Sequence, residues 1–216
     1  MIEAYRAGRD LHTETAARML DTDPQELQRL VDDGDENANA ARKSAKILNF
    51  GMLFGSGPAT VQRQAIAQYG VNWTEDEAGE RVKAFREAYP IFYKWQQRTG
   101  NETTSAVFTK LGRRRMTVGM RREYTGRLNT PIQGTAGDIT KLALRNIWRD
   151  LVAAPPGQAV LLSVVHDEII LEVKEGFTGK WEKLLSAAMV AGGEELIHSL
   201  PIIADAGSGD TWAEAK

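Results

Sequence analysis

Arg42-Lys43-Ser44-Ala45-Lys46-Ile47-Leu48-Asn49-Phe50-Gly51-Met52-Leu53-Phe54-Gly55 is the stretch from which the fold of this 216-residue chain is read. Arg42, Lys46, Phe50 and Phe54 recur every fourth residue, which in a helix sets them along one slowly drifting face. That face spans about 18 Å at a rise of about 1.5 Å per residue. Its two cations lie toward the N-terminal end and its two aromatics toward the C-terminal end. Like charges four residues apart cost roughly a few tenths of a kcal/mol when unpaired. Lys43 adds another cation, and residues 40–54 contain no acid to offset them. Helix N-termini attract anions in any case. The face suits an elongated ligand with a polyphosphate at one end and a flat ring at the other. Spacing alone fits better an amphipathic helix with incidental basic residues and core phenylalanines.

Working outward, punctuation residues divide the chain. Asp10-Leu11-His12 caps a short helix over Thr13 to Leu20, and Pro24 opens another with Leu27, Leu30 and Val31 on one face. The acidic Asp32 to Asn39 stretch reads as a loop, and the helix over 40–54 stops at Gly55-Ser56-Gly57-Pro58. Thr74 and Glu77 have the spacing of a capping box, and the helix they open ends at Tyr89-Pro90. A further helix lies around Phe92 and Trp95. Ile139, Leu142, Ala143, Ile147 and Leu151 keep helical spacing up to Pro155-Pro156-Gly157.

Val160 to Val165 and Ile169 to Val173 are β-branched-rich runs around His166-Asp167-Glu168, the pattern of a strand–turn–strand hairpin. A helix bearing Trp181, Leu184, Leu185 and Ala188 follows, and Leu200 to Ala204 reads as a last strand. The fold class is therefore α+β: a helical part over residues 1–108, then an antiparallel-sheet part with packed helices over 109–216.

Composition narrows the class without deciding it. With 42% hydrophobic and 26% charged residues the chain reads as globular, and no apolar run nears the roughly 18 residues needed to span a bilayer. Cysteine is absent, which excludes disulfides and thiolate zinc sites and fits a reducing cytoplasm. The formal net charge of −2 hides a local bias: Lys110, Arg113, Arg114, Arg115, Arg121, Arg122 and Arg127 stand against Glu123 alone. Gly112 and Gly119 break regularity there, so the segment reads as a phosphate-facing loop.

The opening stretch resembles the fingers helix of family A DNA polymerases, patterned R-x3-K-x3-F-x3-Y-G. By that resemblance Arg42 and Lys46 bind the triphosphate of an incoming deoxynucleotide, Lys46 also serves as general acid toward pyrophosphate, and Phe50 packs on sugar and base. Phe54 stands where the family has tyrosine; it keeps the stacking ring and lacks the hydroxyl. Phenylalanine at position 50 goes with discrimination against dideoxynucleotides in this family. Asp10-Leu11-His12-Thr13 resembles D-[IL]-H-T, whose histidine approaches the triphosphate. Thr109 to Arg114 resembles T-x-x-G-R-R, and Arg127 to Ala136 resembles the segment N-x-P-x-Q-G-[ST]-A. Primer–template contacts are thereby implied for Arg113, Arg114, Arg127, Asn129 and Gln133. Val165-His166-Asp167-Glu168 resembles the palm motif V-H-D-E, which implies Asp167 as a metal-binding catalytic aspartate. Glu168 is a second candidate for the same ions, and His166 lies near the primer terminus. Pro201 to Trp212 resembles the family's usual C-terminus. The two parts then correspond to a fingers subdomain and a C-terminal palm portion.

Nucleotidyl transfer of this kind is an in-line displacement across two Mg²⁺ ions about 4 Å apart. Adjacent strand residues point to opposite faces, so Asp167 and Glu168 alone do not hold both ions. The family's other metal aspartate lies in a D-Y-S-x-[IL]-E motif upstream of D-[IL]-H, and this sequence contains no such motif. The expectation is a DNA-directed DNA polymerase part, inactive by itself, that needs an upstream thumb and palm polypeptide carrying that motif. A split polymerase subunit and an expressed fragment both fit. The alternative is a non-catalytic nucleic-acid- or nucleotide-binding module descended from a polymerase.

Overall fold

The computed structural model describes residues 1–119 and 123–215. The chain divides into two compact units. Met1–Val107 with Met116–Asn129 makes the first, and Phe108–Arg115 with Thr130 onward makes the second.

The first unit is helical: α1 (Ile2–Arg6), α2 (Leu11–Leu20), α3 (Pro24–Asp32), α4 (Glu36–Leu53), α5 (Pro58–Tyr69), α6 (Glu75–Ala88), α7 (Pro90–Gly100) and α8 (Glu123–Asn129). α4 is its axis. Ala38 and Ala45 of α4 pack with Ala16, Ala17 and Leu27, while Ile47, Leu48 and Met52 pack with Val61, Ala65, Val82 and Phe85. Small residues near the start of α4 let α2 and α3 approach closely; larger ones near its end fill the space toward α5 and α6.

Helix boundaries follow cap chemistry. Asp10 accepts from the Thr13 amide at 2.7 Å, and the Thr74–Glu77 capping box is complete in both directions. The acidic stretch read as a loop over 32–39 is shorter than expected. Asp35 is the N-cap of α4, accepting from the Ala38 amide at 2.8 Å, and Glu36 lies in the first turn. The helix that carries the cations therefore does contain an acid. α5 was not anticipated: Pro58, read as part of a stop signal, sits in the first turn where its missing N–H costs nothing.

Two short strands, β1 (Ala106–Phe108) and β2 (Arg114–Met116), form a two-stranded sheet at the passage between units. The basic segment read as an irregular loop is thus a hairpin with part of its cations on a strand. Its turn closes with the Thr109 amide donating to Arg113 O at 3.0 Å and Gly112 at φ +89°.

In the second unit a π-helical turn (Thr130–Gly134) leads into α9 (Thr135–Ala153). β3 (Ala159–Val165) and β4 (Glu168–Val173) pair antiparallel, with Val165 opposite Glu168 and Ala159 opposite Val173. Leu162 is the extra residue of a bulge between Leu161 and Ser163. α10 (Thr178–Glu194) packs on α9 so closely that a Cβ on Gly192 would stand 2.7 Å from the Ala143 amide nitrogen. Ile147, Trp181 and Ala188 form the core there, joined by Ala159, Leu171 and Val173 of the hairpin. Residues 200–204 form no strand; the segment is docked instead by Ser186 Oγ donating to Ala204 O at 2.7 Å. The α+β class holds, with most of the chain helical and the sheets confined to two hairpins.

Candidate functional site

In the first unit α4 holds Arg42, Lys46 and Phe50, while Phe54 falls one residue past it as the C-cap at φ −105°. Arg42 and Lys46 are half-buried, and Phe50 is 51% exposed. Phe50 meets the His12 imidazole at a centroid distance of 5.8 Å, tilted by 47°. The N-terminal turn of α2 therefore lies beside the α4 face, as three polar ties fix. Arg42 Nε and Nη2 donate to Asp10 Oδ1 and Oδ2 at 3.2 and 2.8 Å. Asn49 Nδ2 lies 2.9 Å from His12 Nδ1 and donates to Leu11 O at 3.3 Å. Burial pushes the His12 imidazole below its ordinary value; nearby Asp10 opposes that, and Arg42 and Lys46 add to it.

Gly55 ends this element at φ +76°, where a Cβ would stand 2.6 Å from Leu128 Cδ1 and 2.9 Å from Tyr124 Cε1. A Cβ on Gly100 would collide with the same Tyr124 ring. The two glycines let α8 seat Tyr124 between the ends of α4 and α7. Burial raises the Tyr124 phenol, helped by Tyr93 and opposed by Arg86.

Arg127, expected at primer–template, is buried at 2% exposure. It donates to Thr104 Oγ1 at 3.0 Å, to Thr117 Oγ1 at 2.9 Å and to Thr104 O. In this conformation its guanidinium ties loops together rather than facing a ligand, which corrects the expectation from sequence. Asn129, the last residue of α8, is half-buried.

In the second unit Gln133 is exposed on the π-helical turn, an irregularity that recurs at functional sites. Arg113 is half-exposed, with Nε on Asp138 Oδ1 at 2.8 Å and Nη2 on Gly134 O at 2.9 Å. It thereby braces the start of α9. Arg114 is exposed on β2, and Arg115 reaches Thr130 Oγ1 at 3.4 Å. Arg121 and Arg122 lie outside the described residues.

His166 and Asp167 form the two-residue turn of the β3–β4 hairpin. His166 sits at φ +57°, one of two non-glycine residues with positive φ among those described. Such backbone is uncommon outside glycine, asparagine, aspartate and histidine, and it clusters at functional sites. The turn lifts Asp167 into solvent at the hairpin tip. Glu168, the first residue of β4, accepts from Trp212 Nε1 at 3.2 Å, so the C-terminal segment reaches the motif. Sequence reasoning missed this partner, because a tryptophan 44 positions away carries no local signal. Carboxylate oxygens at an exposed tip fit a hard divalent cation such as Mg²⁺. Among the described residues no three His, Asp or Glu side chains gather as a metal-holding group, so the fit is to one side of such a site.

The family model for DNA polymerase family A matches residues 1–214. The chain belongs to DNA polymerase family A. Within the family it is similar to the thermostable DNA polymerase I of Thermus filiformis, 34% identical over 224 residues that cover 98% of this chain and 24% of that protein. DNA polymerase I of Streptococcus pneumoniae serotype 4 is 32% identical over 231 residues, covering all of this chain and 24% of its own length. The chain thus spans about a quarter of the curated polymerases it matches. Among solved structures, the POL domain of Pol1 from M. smegmatis, in complex with DNA primer-template and dNTP, is similar with a TM-score of 0.77 and 25% identity. That match covers 99% of this chain and 36% of the other. No helix among the described residues is long and apolar enough to cross a membrane.

Proposed function

We propose that this chain is the nucleotide-gripping and partial metal-binding portion of a DNA-directed DNA polymerase. In this reading residues 1–108 are the fingers and 109–216 the C-terminal palm portion, the compact units trading the short segments next to that boundary. The observation that carries it is the joint α2–α4 surface, where Arg42, Lys46 and His12 stand beside a half-exposed Phe50. Cations there meet a triphosphate, and the Phe50 and Phe54 rings stack on the nascent pair. Lys46 delivers a proton to departing pyrophosphate. Arg113, Arg114, Asn129, Gln133 and His166 contact primer–template, and Arg127 holds Thr104 and Thr117 in place within its own unit. Most such contacts go to phosphate and sugar, which suits the basic hairpin.

Two Mg²⁺ ions, when bound, polarise the transferring phosphate and lower the pKa of the attacking hydroxyl. Asp167 is the residue that would hold them from this chain, with Glu168 second to it because Trp212 already holds one of its oxygens. A further carboxylate comes from a thumb and palm polypeptide carrying D-Y-S-x-[IL]-E, joined to this chain or separate from it.

Primer extension with Mg²⁺ and the four deoxynucleotides tests this, using the chain by itself and then mixed with such a polypeptide. Extension in the mixture that Asp167→Ala abolishes supports the reading. Extension by the chain by itself removes the need for a second carboxylate source. No extension in either, with nucleotide or DNA binding retained, favours the non-catalytic binding module.

A further inference from the structure

We propose that Asn49 is a positioning residue that fixes His12 as the Nε2–H tautomer, so that the ring presents a proton donor to the triphosphate. This rests on the reading of the α2–α4 surface as a triphosphate grip. Asn49 lies on α4 one residue before Phe50 and two helical turns after Arg42, and is 6% exposed. A buried amide must satisfy its hydrogen-bonding atoms within the protein.

Its orientation is decided by its neighbours. The atom beside Leu11 O, at 3.3 Å, must be a donor, because a backbone carbonyl only accepts. That atom is Nδ2, and it also stands 2.9 Å from His12 Nδ1. The opposite amide atom, Oδ1, lies 3.0 Å from Thr15 Oγ1, which is itself 2.9 Å from the Tyr89 hydroxyl. Thr15 is fully buried. Thr15 Oγ1 also lies 2.9 Å from Leu11 O, so its one proton is shared between Leu11 O and Asn49 Oδ1. Tyr89 O–H donates to Thr15, and Asn49 Nδ2–H donates to His12 Nδ1. Flipping the amide would set Oδ1 against Leu11 O, two acceptors face to face. An imidazole that accepts at Nδ1 carries its proton on Nε2 when neutral.

The charged groups acting on the ring are Asp10 from the turn before α2 and Arg42 and Lys46 from α4. Burial and the two cations favour the neutral ring, the state in which tautomer matters. A neutral ring protonated on Nδ1 would offer the triphosphate a lone pair instead.

The test is long-range ¹H–¹⁵N correlation of the full chain without nucleotide, above the titration of His12. The chain has three histidines, so assignment by His12→Gln is direct. The expected result is a pure Nε2–H pattern for His12. A mixture or an Nδ1–H pattern overturns the proposal, whatever the variants do. Asn49→Asp, nearly isosteric, should turn the ring to Nδ1–H, because a carboxylate accepts. Thr15→Val, which changes no charge, should release the amide and yield a mixture; an unchanged Nε2–H ring in both variants also overturns it. Magnesium–dTTP binding should weaken about twofold in Thr15→Val, the apparent Kd rising by the reciprocal of the fraction of rings that carry the proton on Nε2. The tautomer is read with no nucleotide present. If Arg42→Ala and Lys46→Ala leave dTTP binding unchanged, the triphosphate reading fails while the tautomer result stands.

Discussion

Asp10 does two jobs with one carboxylate. It accepts two hydrogen bonds from the Arg42 guanidinium and one from the Thr13 amide, so the cap of α2 and the first cation of the α4 face share an anchor. A guanidinium fork matched to a carboxylate fixes direction as well as charge. The arrangement holds Arg42 in place, and on the proposed reading a phosphate must displace or join Asp10.

The pH dependence of that anchor is predictable. Burial acts to raise the Asp10 carboxyl, but the hydrogen bonds from Arg42 and Thr13 outweigh it and hold the group at about 2, below the ordinary 3.8. A carboxyl depressed on folding contributes stability above its unfolded value and loses it as pH falls through the folded one. The loss should fall between about pH 4 and about pH 2. Asn caps a helix nearly as well as Asp but carries no charge. Asp10→Asn should therefore flatten the decline of urea midpoints over that window. An equally steep decline in the variant would assign acid sensitivity to other carboxyls.

Gly55 and Gly70 both have positive φ, +76° and +65°, yet only Gly55 has neighbours where a Cβ would go. Both alanine variants lose the conformational freedom of glycine. Gly55→Ala should cost about 1–3 kcal/mol beyond Gly70→Ala, from pushing Leu128 and Tyr124 aside. Denaturant melts of the two variants measure the difference. Equal costs would mean that α8 moves freely away from the end of α4.

Arg127 and Arg114 look alike in sequence, both basic and both in motif segments, and the fold separates them. Arg127→Met should destabilise the chain by about 1–3 kcal/mol, because Thr104 and Thr117 lose a buried donor. Arg114→Ala should leave the melt unchanged and lower the salt dependence of DNA binding by about one unit of slope. Reversed results, a stable Arg127→Met that weakens DNA binding, would return Arg127 to the DNA surface.

What sequence could read was what short-range chemistry decides. The Thr74–Glu77 capping box and the His166-Asp167 turn each sit within four residues, and both form as their residues dictate. The Asp32 to Asn39 stretch misled because aspartate, glycine and asparagine mark loops and helix starts alike; Asp35 turned out to be a cap. Leu200 to Ala204 had strand composition but lacks a partner strand, and β-propensity without pairing makes no sheet. Tertiary partners were out of reach. Nothing near Arg127 announces Thr104, and nothing near His12 announces Asn49, 37 residues on.

The Phe50 ring stands half in solvent on the proposed nucleotide surface. Adding a hydroxyl to an exposed ring edge fills no core space, so Phe50→Tyr should change stability by no more than about 0.5 kcal/mol. Its effect should fall on nucleotide choice. A bound dideoxynucleotide lacks the 3′-hydroxyl, and a tyrosine hydroxyl at this edge can take over the hydrogen bond that group makes. Once the polymerase is assembled, Phe50→Tyr should raise dideoxy incorporation relative to the deoxynucleotide by roughly tenfold, the worth of one such bond. Single-nucleotide extension with paired deoxy and dideoxy substrates reads the ratio. Efficient dideoxy termination by the unaltered chain, or a ratio indifferent to the hydroxyl, would detach Phe50 from the sugar and leave it as a ring that only stacks.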